Sequence, residues 1–207
     1  MNGVEDLIKI SRFYGEKKEF VVAGGGNTSF KDEEKLFVKA SGYALASITE
    51  DGFAVLDRKK LDSISGKSYS EDPAAREQQV KNELNEALLT KDKRPSVETS
   101  LHNLIRYRFV VHLHPNAVNG VLCGNDVEKY IPVIFGADAL YIPYTDPGYV
   151  LFKEIETRLQ AVRKSKGQDP KVIVLQNHGI FVSADTTEEI MAIYDHLIET
   201  IHKYVKS

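Results

Sequence analysis

The amino-acid sequence predicts an α/β domain with a largely antiparallel or mixed sheet. Three observations carry that expectation: a hairpin pattern at Asn27 to Ala40, a second at Lys171 to Ser183, and stretches of helical apolar spacing between and around them. Hairpin strands pair antiparallel, and the helices need a sheet face on which to bury their apolar stripes.

The elements follow in order. Val4, Leu7, Ile8 and Ile10 recur at helical spacing and predict a helix from Val4 to Tyr14. In the first hairpin, residues 31–35 turn between Thr28-Ser-Phe30 and Leu36-Phe-Val-Lys-Ala40. Phe53 to Asp57 is a short strand. Pro73 to Leu89 is helical, with Asp72 as N-cap and Pro73 in the first position, where a missing N–H costs nothing. A further helix is expected after Pro95, capped by Ser96 and running to about Tyr107. There follow a strand from Phe109 through His114, a helix from Pro115, and a strand near Ala139 to Ile142. A helix from Gly148 to Lys164, the strand Lys171 to Gln176, its partner Ile180 to Ser183 and a last helix from Thr186 to Tyr204 complete the chain. No repeat, low-complexity tract or linker interrupts it, and residues 164–170 read as a surface loop, so one domain over residues 1–207 is expected.

Composition narrows the function classes. A chain of 207 residues, 42% hydrophobic, is long enough to bury a substantial core. A net charge of −3 leaves no large basic field to attract nucleic acid. The single cysteine, Cys123, excludes an internal disulfide framework and reads as a small buried hydrophobe. No basic segment precedes an apolar one near Met1, and no apolar run approaches ~20 residues. A cytoplasmic protein with no membrane partner is expected.

Four residues carry most of the chemistry. His112 and His114 form an HxH in Phe109-Val-Val-His-Leu-His114, and residues two apart on a strand point to the same side. His178 stands before Gly179 at a strand end, and Glu98 adds a carboxylate. Three imidazoles and one oxygen suit Zn²⁺ or a related divalent ion and leave room for an exchangeable ligand. His102, His196 and His202 are read as ordinary histidines, the last two on the solvated face of the terminal helix. Cupins also use HxH, but a second His-bearing strand at the cupin distance is missing. A metal-bearing (β/α)₈ barrel needs about 250 residues.

The second feature is Ala23-Gly-Gly-Gly26-Asn27-Thr28-Ser29. Three consecutive glycines supply no side chain to a core and cost backbone entropy, so a bare backbone is expected to serve a ligand. N–H groups in such a turn cradle an anion, with Asn27, Thr28 and Ser29 as added donors. The turn Ala40-Ser41-Gly42 and Ser96 bring two more donor-bearing segments, and phosphate is the anion expected.

Taken in order, Gly-Gly26-Asn27-Thr-Ser, Ala-Ser41-Gly42, Pro-Ser96-Val-Glu98-Thr-Ser-Leu-His102, His112-Leu-His114-Pro and Gln-Asn-His178-Gly resemble the class II aldolase/adducin family over roughly residues 5 to 205. That family includes fuculose- and rhamnulose-phosphate aldolases and ribulose-phosphate 4-epimerase. Pro143-Tyr-Thr-Asp-Pro-Gly148 and the glycine-rich turn look closest to the aldolase part of rhamnulose-phosphate aldolase/dehydrogenase proteins.

The resemblance implies a three-layer fold with a central, mainly antiparallel sheet flanked by helices, in a homotetramer with interfacial sites. It implies one Zn²⁺ per chain on His112, His114, His178 and Glu98, with Glu98 also the catalytic acid/base. Gly26, Asn27, Thr28, Ser41, Gly42 and Ser96 would bind the substrate phosphate. The implied reaction cleaves a ketose 1-phosphate to dihydroxyacetone phosphate and an aldehyde through a metal-stabilised enediolate. The alternatives are a pentulose 5-phosphate 4-epimerase, whose relatives carry Asp where Glu98 stands, and a non-catalytic adducin-like binding module. Two departures stand out: Val97 occupies a place where smaller members often have Ser, and the interfacial tyrosine of fuculose-type enzymes has only Tyr141, Tyr144 and Tyr204 as candidates.

Overall fold

A computed structural model describes residues 3–21 and 25–205. Val22, Ala23 and Gly24, where the glycine-rich turn begins, lie outside the described residues.

Seven strands form one sheet. They are β1 (Asn27–Lys31), β2 (Lys35–Lys39), β3 (Phe53–Asp57), β4 (Phe109–Leu113), β5 (Leu140–Ile142), β6 (Val172–Leu175) and β7 (Gly179–Ala184). Their order is β3-β2-β1-β4-β7-β6-β5, antiparallel throughout except for the parallel β5–β6 pair. Among the described residues, eight α-helices cover the two faces: α1 (Gly3–Gly15), α2 (Arg58–Ser65), α3 (Pro73–Ala87), α4 (Thr99–Leu104), α5 (Asn116–Leu122), α6 (Ile131–Ile134), α7 (Tyr149–Lys166) and α8 (Thr187–Val205). None is long and apolar enough to cross a membrane among the described residues.

Strand alternation divides the core in two. Phe109, Val111 and Leu113 of β4 face α1, α5, α6 and α8 through Leu7, Tyr14, Val118, Ile131 and Tyr194. Val110, with Phe181 of β7, faces α2, α3, α4 and α7 through Leu61, Leu84, Leu101 and Phe152. These are the expected three layers. The sheet is buried on both sides, so β1, β4 and β7 have no exposed residue and read as continuous rather than alternating patterns.

Most expected elements appear within one or two residues. Asp72 caps α3, accepting from the Ala75 N–H at 2.8 Å. Three expectations need correction. The helix after Pro95 is six residues long, and Ser96 is not its cap: Glu98 holds that position, while the Ser96 hydroxyl accepts from the Glu98 N–H at 3.2 Å. It ends early because Asp169 takes the Arg106 N–H at 2.9 Å and leads the chain into β4. Helix α2 was not foreseen, since only Leu61 and Ile64 of its eight residues are buried; Asp57 caps it through the Lys59 and Lys60 N–H groups. Cys123 is exposed, because it sits at the C-terminal cap of α5 rather than on its buried face.

Candidate functional site

The three histidines converge as their spacing predicts. β4 carries His112 at its end and His114 just beyond, and their rings lie 4.7 Å apart. β7 is the neighbour of β4, with Phe181 opposite His112, so the β6–β7 turn delivers His178 beside them. Asn177, at φ 57°, turns the chain left-handed into His178. Gly179 is required by proximity: a Cβ there would meet His114 Cδ2 at 2.4 Å and the Leu113 carbonyl at 2.7 Å.

The donor atoms of His112, His114 and His178 lie within 4.8 Å of one another. His114 Nε2 is 3.0 Å from His112 Nε2, and Glu98 Oε1 is 3.2 Å from His112 Nε2 and 3.5 Å from His178 Nε2. Metal bonds of ~2.05 Å at tetrahedral angles would leave donors ~3.3 Å apart, which matches these separations. The Nδ1–H of His112 donates to the Ile180 carbonyl at 3.0 Å, which directs Nε2 toward Glu98 and His114. That nitrogen therefore faces two further acceptors. A proton answers one of them, whereas a divalent cation at their centre answers all, so the donor set fits such an ion.

Electrostatics agree with this. Burial works to raise the Glu98 carboxyl, but the neighbouring His112 charge and contact overcome it and hold the pKa down to about 2. Burial, with His112 and His178 beside it, lowers His114 to about 4, and burial also lowers His178. Both imidazoles are neutral at pH 7, with lone pairs available.

The other candidate residues divide. Asn27 pairs with His112 across the β1–β4 ladder and shares its side of the sheet. It is buried, and its Oδ1 has no partner among the described residues. The Ser29–Val38 register, extended two residues, sets Asn27 opposite Ala40, one residue before Ser41. The Ser41 N–H then donates to the Arg94 carbonyl at 2.9 Å, which draws the Ser41–Gly42 turn up to the Ser96 segment. Gly26 and Gly42, at φ 81° and 92°, take conformations that favour glycine. Thr28 is the exception: its hydroxyl turns to the opposite face and meets Ser11 Oγ at 2.7 Å, away from Asn27. Ser29 is likewise engaged, with His102 Nδ1 at 2.7 Å.

His102 is the buried neighbour of this cluster that sequence reasoning passed over. His196 and His202 are exposed as expected, but His102 is fully buried one turn after Glu98, with burial lowering it to about 3. Its edge faces Phe181, whose ring lies flat on His112 at 4.1 Å. The signal available was the four-residue spacing from Glu98, which sets both on one side of a helix. Of the tyrosines, Tyr141 bonds Gln176 Oε1 at 2.9 Å, Tyr144 is mostly exposed, and Tyr204 rests on Tyr130.

A cavity of about 580 Å³ opens beside this region between α3 and α7, lined in part by Ser41, Arg94, Val97, Ser100 and Phe152. None of the three clustered histidines lines it.

The family described as the class II aldolase and adducin N-terminal domain matches residues 5–205. The chain belongs to this family. Among class II aldolase-like structures, the N-terminal class II aldolase domain of a conserved Thermoplasma acidophilum protein is 26% identical at a TM-score of 0.82, covering 98% of this chain and 93% of that one. A Methanocaldococcus jannaschii protein named L-fuculose phosphate aldolase is 26% identical over 178 residues, 85% of this chain and 81% of that protein. A Bacillus subtilis protein named uncharacterized oxidoreductase YuxG is 29% identical over 98% of this chain. The chain spans only 30% of that relative's length.

Proposed function

We propose that this class II aldolase-family chain is a Zn²⁺-dependent lyase that cleaves a ketose 1-phosphate of the rhamnulose or fuculose type to dihydroxyacetone phosphate and an aldehyde. One observation carries the reading: the donor atoms of His112, His114 and His178 lie within 4.8 Å of one another, with Glu98 Oε1 3.2 Å from His112 Nε2 and 3.5 Å from His178 Nε2. The fuculose-phosphate aldolase name of the archaeal relative supports the substrate class.

A bound divalent cation would supply Lewis-acid stabilisation of the charge on the substrate oxygens next to the breaking C–C bond. The three imidazoles hold their places through the sheet, so Glu98 is free to leave their neighbourhood when substrate arrives. Its carboxylate, ionised at neutral pH, then carries the proton between Oε and the substrate carbon that becomes part of dihydroxyacetone phosphate. Gly26, Asn27, Ser41, Gly42 and Ser96 receive the phosphate, Asn27 through the donors of its amide Nδ2. Thr28 contributes its backbone position rather than its hydroxyl. Anchoring the remote phosphate turns binding into orientation of the reacting carbons.

The His178 side chain is 21% exposed, while His112 is buried. The family resemblance implies a homotetramer, in which a neighbouring copy would close this side of the site. A coupled assay of ketose 1-phosphates and pentulose 5-phosphates with metal-loaded protein tests the reading. Release of dihydroxyacetone phosphate from a ketose 1-phosphate is expected; epimerisation of a pentulose 5-phosphate, or turnover of neither, overturns it.

A further inference from the structure

Strand β1 runs beneath α4 and presents to it a face that is polar along its whole length. Asn27, Ser29 and Lys31 alternate onto that side, and all three are buried. Ser29 Oγ meets His102 Nδ1 at 2.7 Å. Lys31 Nζ donates to the carbonyls of Ile105 at 2.5 Å and Tyr107 at 2.7 Å, where α4 ends. The strand thus grips the helix at its middle and its end, and the same strand is paired with β4, Asn27 opposite His112.

Glu98 starts this helix. Its carbonyl accepts the N–H groups of Leu101 at 2.9 Å and His102 at 3.1 Å, so the Glu98 and His102 backbones move as one turn. Apart from the imidazoles, no hydroxyl, amide or cation bonds the Glu98 carboxylate among the described residues. Its distance from the histidines is therefore set by the backbone that carries it. Phe181 spaces the two sides, flat on the His112 ring (19° between planes) and edge-on to His102 at 5.6 Å.

We infer that the Ser29–His102 hydrogen bond positions Glu98 against the three imidazoles, making both residues positioning residues for the proposed metal centre. The inference rests on the metal-site reading above. Removing the bond lets α4 shift on the sheet and moves the carboxylate, while His112, His114 and His178 keep their strand-given places.

The test is a double-mutant cycle on metal affinity, read by the visible absorption of bound Co²⁺ in place of Zn²⁺ and needing no substrate. Ser29→Ala is expected to weaken Co²⁺ binding about tenfold when Glu98 is present, the lower end of the usual cost for losing an outer partner of a metal ligand. In a Glu98→Ala background the same change is expected to cost less than about twofold, because the group it positions is gone. His102→Asn, whose amide replaces Nδ1 toward Ser29, should stay close to wild type, whereas His102→Leu should match Ser29→Ala. Equal losses in both Glu98 backgrounds, or none in either, overturn the inference, as does a His102→Asn protein as weak as His102→Leu. If Ser29→Ala fails to fold, the His102→Asn and His102→Leu pair, each with and without Glu98, decides by the same criterion. A wild-type protein that takes up no Co²⁺ or Zn²⁺ sinks the metal reading itself, an outcome distinct from uncoupled binding.

Discussion

The two halves of the candidate centre are built differently. The imidazole half stands on β4 and the β6–β7 turn, in the middle of a sheet buried on both faces, with His112 fixed by the Ile180 carbonyl and the Phe181 ring. The carboxylate half stands on a six-residue helix and the turn before it, where Thr99, Ser100 and His102 each keep a buried polar atom without a partner among the described residues. The first half is anchored in the sheet, and the second keeps unpaired buried groups. A site that holds an ion while releasing one ligand to do chemistry needs that inequality: three permanent donors on rigid ground and one on movable ground.

The sharpest way to break the comparison is to damage the rigid half. His112→Ala is expected to strip the metal, measured by elemental analysis, and with it all detectable aldol cleavage; equal occupancy in variant and wild type would remove His112 from the site. Next in size is Glu98→Gln, which should keep the fold and most of the metal yet slow catalysis by roughly 10²-fold or more, the scale of a positioned acid/base. Exchange of the dihydroxyacetone phosphate proton with D₂O isolates that step, and a variant exchanging at the wild-type rate would leave Glu98 as a ligand alone. Ser96→Ala comes third: it should raise KM for a phosphorylated ketose roughly tenfold, about one charged hydrogen bond, and leave the dephosphorylated sugar unaffected. Equal effects on both sugars would end its phosphate role.

A separate effect, on stability rather than turnover, concerns pH and the metal-free protein. His102 is held to about 3 in the fold, chiefly by burial, against ~6.5 when unfolded. Between those values the unfolded chain binds a proton that the folded chain does not, so stability is full above pH 6.5 and falls as the pH drops toward 3. His114, lowered to about 4, adds to the same loss over a narrower window. Urea unfolding at pH 7 and pH 4.5 should differ by on the order of 2 kcal/mol from His102, and His102→Gln should flatten that difference. An unchanged slope in the variant would mean that His102 takes up its proton in the fold.

The rigid half was also the legible half. HxH on a β-branched strand and His before Gly are local patterns, and local spacing fixes which way the rings point. The sheet could be read for the same reason, its hairpins being signalled by turn residues. What escaped were facts set by partners distant in sequence. Ser96 has the composition of a helix cap, yet the chain turns once more before α4 begins, and Glu98 takes the place. Thr28 and Ser29 have the composition of anion donors, but strand alternation sends one to Ser11 and the other to His102. The burial of His102 depends on β1 lying under α4, 73 residues away along the chain at Ser29.

Helix α4 also constrains how the molecule comes into being. Six residues are far fewer than an isolated helix needs in water, since nucleating the first turn is itself unfavourable. Its middle and C-terminal end are fastened to β1, which pairs with β4 about eighty positions further on, Asn27 with His112. The helix therefore waits for one of the most distant strand pairings in the chain, and such closures come late because of their entropy. Glu98 reaches its place only when the central sheet is already assembled.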